Sequence, residues 1–181
     1  MVDPQAVPRI VLDAARLVRA GEIVVFGSAS LAFWLRHAPT SRDVDIWVMP
    51  AERGEAVEAL MGELSWYHER HGAYVEVLGS ETFSAPASWR TRAKLVTLPE
   101  APDVSIVVPH PHDVLVAKLE RYEHQDRDHV RRILAEMPLE AAVLEALANE
   151  APCRTEATLD ANVKAAFETN LAEVRTRLSG G

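Results

Sequence analysis

IVVFGSASLAFWLRHAPTSRDVDIWVM, residues 23–49, decides how the rest of the chain is read. Ile23 to Phe26 is an apolar, β-branched run that suits a strand buried on both faces. Gly27 and Ser28 break it, and Ala29 to Leu35 supplies helix formers for a short helix. A loop at His37 to Ser41 leads into a second strand. Side chains alternate along a strand, so Asp43 and Asp45 project to one side while Val44, Ile46 and Val48 project to the other. Two carboxylates side by side repel each other unless a cation or a proton lies between them. A divalent metal ion is the expected partner.

Gly27-Ser28 followed by Asp43-Val44-Asp45 resembles the Gly-Ser…Asp-x-Asp signature of the nucleotidyltransferase (DNA polymerase β-like) superfamily. The wording Arg42-Asp43-Val44-Asp45-Ile46 is similar to that of its small bacterial minimal members, including relatives of abortive-infection and toxin–antitoxin toxins. The gap between Ser28 and Asp43 is longer than the commonest spacing, and the helix or the following loop absorbs the extra residues. The expected fold is α+β: a nucleotidyltransferase-like mixed sheet flanked by helices over residues 1–110, with a helical C-terminal region over 111–181 packing on that core. The resemblance implies transfer of a nucleoside monophosphate from an NTP to a hydroxyl acceptor, with Mg²⁺ or Mn²⁺ as cofactor. The acceptor is left open among tRNA, protein and small molecules, because the same metal site serves all three.

Before the first strand, Pro8 to Ala20 carries Ile10, Val11, Ala14, Leu17 and Val18 at helical spacing, with Gly21 as a stop. Arg53 to Leu64 reads as an amphipathic helix over the sheet. Trp66–Arg70 and Ala73–Leu78 flank His71-Gly72 and read as a hairpin or strand pair. On residue type alone, Glu76 in the second of these is an edge-strand acid facing water. The resemblance implies a third carboxylate on the strand beside Asp-x-Asp, and Glu76 stands in the matching place; Asp103, in a Pro-flanked turn, is the alternative. Lys94–Leu98 and Val104–Val108 form a further hairpin around Pro99 to Asp103.

Trp89-Arg90-Thr91-Arg92-Ala93-Lys94 sets three cations beside an aromatic, either as a phosphate-gripping patch led by Arg92 or as a solvated strand start. Pro109-His110-Pro111-His112-Asp113 lacks partners at zinc spacing and reads as a turn launching a helix, with His112 or Asp113 near the N-cap. In the helix Asp113 to Glu123, Lys118 sits among apolar positions, which by itself describes a snorkelling lysine. The spacing of Lys118, Asp126 and Val130 resembles a paired motif of the minimal transferases, implying that Lys118 and Asp126 border the active site. Asp128 is the alternative in register, and an N-cap is the plain alternative role for Asp126.

Leu139–Ala148 and Glu156–Leu178 read as helices around a Pro-containing linker. The last helix carries Leu159, Val163, Phe167, Leu171, Val174 and Leu178 at three-to-four spacing, suited to packing back on the domain or pairing with another chain, an antitoxin or a second copy. The closing Ser179-Gly180-Gly181 reads as a frayed end.

The chain has 181 residues, 48% of them hydrophobic and 25% charged, enough for a sizeable core. Its net charge of −8 argues against broad DNA binding, which needs cationic surface. No apolar run is long enough to cross a bilayer, MVDPQAVPR has no signal-peptide pattern, and the lone Cys153 suits a reducing cytoplasm. No P-loop, dinucleotide or kinase signature occurs. In the resulting assignment Asp43, Asp45 and Glu76 hold metal, and Gly27, Ser28, Arg92 and Lys118 hold nucleotide. Asp43, Asp45, Glu76, Lys118 and Asp126 carry catalysis. The rival readings are a non-catalytic module of the same fold working through a protein partner, and a transferase acting on small molecules such as antibiotics.

Overall fold

The computed structural model describes residues 1–179, so Gly180 and Gly181 of the expected frayed end lie outside it. The chain divides into two compact units. The first comprises Met1–Thr82 and Ala93–Pro109; the second comprises Phe83–Arg92 and the chain from His110 onward.

In the first unit α1 (Val7–Val18) buries Val7, Ile10, Val11, Ala14, Ala15 and Val18 along one stripe. It ends at Arg19, whose φ of 67° turns the chain, so Gly21 is not the stop but the first residue of β1 (Gly21–Val25). Ile23, Val24 and Val25 are fully buried, as a strand covered on both faces requires. The short helix after Gly27-Ser28 is a single 3₁₀ segment, Ala29–Phe33, rather than an α-helix to Leu35. β2 (Val44–Met49) alternates as expected: Val44, Ile46 and Val48 are buried on the core side, and Asp45 lies on the other.

The predicted hairpin at His71-Gly72 does not form. α2 (Gly54–Met61) is followed by α3 (Trp66–His71), a helix where a strand was expected. The Ser65 side chain accepts from the His68 N–H at 3.2 Å and caps its start. Gly72, at φ 63°, closes its end by donating to the His68 carbonyl at 2.8 Å. These two caps outweigh the strand preference of Trp66 and Tyr67. β3 (Val75–Val77) therefore pairs parallel with β2, a geometry that needs a crossover, and α2 with α3 supplies it. β4 (Lys94–Thr97) and β5 (Val104–Val108) form the expected antiparallel pair.

The five strands make one mixed sheet in the order β3-β2-β1-β5-β4. β1 runs antiparallel to β2 and parallel to β5. One apolar core joins α1, the sheet and α2, with Ile23, Ile46, Val57, Met61 and Ile106 all buried. Burying a side chain of this size contributes about 1.5–3 kcal/mol, which makes this face the main source of the unit's stability.

The second unit is helical: α4 (Pro111–Lys118), α5 (His124–Glu136), α6 (Ala141–Asn149), α7 (Pro152–Thr155) and α8 (Ala161–Ser179). His110 caps α4, with His112 and Asp113 close by in its first turn; its Nδ1 accepts from the His112 N–H at 3.3 Å. The Pro-containing linker contains α7. The periodic residues Phe167, Leu171 and Val174 of α8 are buried within the chain, and α8 packs on α6 and α7. Asn170 donates to the Leu119 carbonyl at 2.8 Å. Among the described residues no helix is long and apolar enough to cross a membrane.

Candidate metal centre

Asp43 lies one residue ahead of β2 and Asp45 inside it, on the sheet side away from the α1–α2 core. The parallel pairing of β2 with β3 sets Asp45 directly opposite Glu76. One carboxylate oxygen from each of Asp43, Asp45 and Glu76 lies within 4.8 Å of the other two. Asp103, the alternative third acid, stays in the exposed turn before β5, where its carbonyl accepts from the Gly21 N–H at 3.0 Å.

Gly27 borders this cluster. Its φ is +62°, a region that disfavours any residue with a Cβ, and a Cβ built there would overlap the Asp45 carboxylate. The turn and the acid therefore close on each other only because position 27 is glycine. Ser28 begins the 3₁₀ segment without a side-chain cap, while Ser30 Oγ donates to the Gly27 carbonyl at 2.7 Å. A five-residue 3₁₀ segment carries less aligned dipole than an α-helix over Ala29 to Leu35 would. Gly27→Ala is expected to lower stability by about 1–2 kcal/mol from backbone strain and to displace Asp45. Thermal melts and Mn²⁺ titration would measure the two effects.

Asp43 is held by two neighbours. Tyr74 Oη donates to its Oδ2 at 3.1 Å, and Arg42 Nε lies 3.3 Å from the same oxygen and 3.0 Å from Tyr74 Oη. Burial raises the Tyr74 hydroxyl above its ordinary range; the Arg42 hydrogen bond opposes this and the Asp43 charge adds to it. Tyr74 carried no signal in the sequence beyond its strand position, because its partner lies 31 residues away.

The three donors are hard carboxylate oxygens, with no histidine or cysteine among them, a set suited to a hard divalent cation. Like charges at about 4 Å repel by roughly 4 kcal/mol near a protein surface, so a cation among the three has a clear electrostatic reason to bind. This cluster can hold a metal ion.

The remaining candidates lie in the second unit. Lys118 Nζ meets Asp126 Oδ1 at 2.6 Å, both side chains nearly buried. Asp126 is not the N-cap of α5; it is the third residue, in a capping box with Glu123, whose N–H it accepts at 3.3 Å. His129, one turn on, is buried, and burial followed by the Lys118 charge lowers it to about 4. Asp128 instead faces solvent with Arg131 and Arg132. Arg92 grips Asp113, which is 0% exposed, through Nε at 3.2 Å to each oxygen and Nη2 at 2.6 Å. Its Nη1 donates to Ser88 Oγ at 2.8 Å, and Ser88 donates to Glu150, its N–H at 3.0 Å. The three cations of 89–94 thus serve separate ends: Arg90 stacks on Trp89, Arg92 holds Asp113, and Lys94 lies over the Trp34 ring while donating to the Phe33 carbonyl at 2.7 Å.

Carboxylates at β2 and on the parallel strand β3 thus converge beside a Gly-Ser turn on a mixed sheet, the arrangement that the Gly-Ser…Asp-x-Asp resemblance implies. The chain belongs to the family described as "Nucleotidyltransferase of unknown function (DUF6036)", which it matches over residues 8–177. No curated protein and no solved structure matches it.

Proposed function

We propose that the chain transfers a nucleoside monophosphate from an NTP to a hydroxyl acceptor at the Asp43–Asp45–Glu76 cluster. The observation that carries this reading is the convergence of those three carboxylates within 4.8 Å at the edge of the Gly27 turn. Asp43, Asp45 and Glu76 hold Mg²⁺ or Mn²⁺, which supplies charge stabilisation for the phosphates and the attacking oxygen. Gly27, having no side chain, lets the Asp45 carboxylate close on the turn that would receive the triphosphate, and Ser28 follows at the same turn. A bond forms between the acceptor oxygen and the α-phosphorus as the bridge to the β-phosphate breaks. Pyrophosphate leaves, and the acceptor proton passes to a carboxylate or to water.

Two measurements test the proposal. Mg²⁺ with an NTP should raise the melting temperature, by an amount that grows with ligand concentration over Kd. No shift with any NTP and either Mg²⁺ or Mn²⁺ would count against it. Incubating the chain with each α-labelled NTP and cell extract should then label one size class, and that class identifies the acceptor as RNA, protein or small molecule.

A further inference from the structure

We infer that Tyr74 is a positioning residue for the metal centre: its hydroxyl sets the plane of the Asp43 carboxylate and shares with it the hydrogen bond of Arg42, which would otherwise fall to Asp43 alone. This rests on the metal reading above. Asp43 stands just outside β2, so the strand does not fix its side chain as firmly as it fixes Asp45. Its orientation comes from Tyr74, whose Oη donates to Oδ2 at 3.1 Å. Tyr74 itself is immobilised. It is 6% exposed, and its ring packs 4.8 Å from that of His68 on α3. The Nδ1 of His68 in turn accepts from the Leu64 N–H at 3.1 Å. A rigid ring carrying one polar atom suits a partner that orients a metal-binding carboxylate.

The same hydroxyl accepts from Arg42 Nε at 3.0 Å, a shorter contact than the 3.3 Å between that nitrogen and Asp43. Arg42 is 72% exposed and bears a permanent charge. Without the tyrosine oxygen its only remaining acceptor in this group is Asp43, where it competes with a metal ion for the same lone pairs. The hydroxyl thus helps the site twice, by aiming the ligand and by sharing the competing cation.

The test is a Mn²⁺ titration of the full chain, followed by electron paramagnetic resonance, for wild type, Tyr74→Phe, Arg42→Gln and the double variant. Tyr74→Phe should bind Mn²⁺ about 10-fold or more weakly. Its metal-free melting temperature should fall by no more than about 2–4 °C, as loss of one hydrogen bond predicts. Arg42→Gln should bind Mn²⁺ more tightly than wild type, and adding it to Tyr74→Phe should recover part of the loss. A purely structural tyrosine would lower stability and leave Mn²⁺ affinity alone, which overturns the inference while the proposed function stands. If wild type itself binds no Mn²⁺, the proposed function falls and takes this inference with it. Should Tyr74→Phe not fold, Arg42→Gln decides alone: unchanged or weaker Mn²⁺ binding overturns the inference.

Discussion

Asp43→Asn is expected to lower nucleotidyl transfer by at least about 100-fold while the chain folds as before. Groups that merely orient a metal ligand cost 10–100-fold when removed, so loss of a ligand's own charge should cost no less. Folding survives because asparagine keeps an oxygen for the Tyr74 hydroxyl, and because the Arg42–Asp43 pair is too solvent-exposed to contribute much to stability. Relief of repulsion within the acid cluster works in the opposite direction. The metal-free melting temperature should therefore hold or rise, while the shift produced by Mn²⁺ shrinks. Asp103→Asn, a comparable change at an exposed turn outside the cluster, serves as the control and should alter neither. Unchanged transfer in Asp43→Asn would sink the assignment.

Arg92→Met should be the most destabilising single change among the second unit's ion pairs, by roughly 3–5 kcal/mol. Asp113 is fully buried, and burial raises its carboxyl above the usual range even though the Arg92 hydrogen bond and charge pull it down. Removing the guanidinium leaves that charge uncompensated and raises the carboxyl further. The sign of the pH dependence follows. An acid whose folded pKa is raised above its unfolded value carries its penalty at pH above the folded pKa, and loses it as pH falls toward the unfolded one. Melts of Arg92→Met should thus approach wild type on acidification, and Asp113→Asn in the same background should recover stability at neutral pH. If Arg92 instead serves to bind nucleotide, stability would hold and NTP affinity would drop.

Asp43 and Asp45 were legible because strand periodicity places them together whatever the rest of the chain does, whereas Glu76, by residue type a water-facing edge acid, was reached only through the family resemblance. The hairpin error arose at Trp66–Arg70, where aromatic residues suggest strand but Ser65 and Gly72 provide both ends of a helix. The cations of 89–94 read as one patch because sequence shows neighbours along the chain and not partners in space. Asp113, which defines Arg92, is 21 residues away, and the sequence shows only that it lies near a helix start. Tyr74 and His129 escaped notice for the same reason. A tyrosine in a strand and a histidine in a helix look ordinary until the carboxylate or ammonium beside each is known.

The excursion of Phe83–Arg92 into the helical unit, before the chain returns to lay down β4 and β5, has a practical consequence. A fragment ending at residue 110 would hold every strand and all three acids, yet it would carry ten residues whose anchors, Asp113 and Glu150, had been cut away. The two halves are stitched rather than strung. Neither can be excised by one scission without leaving raw thread on the other.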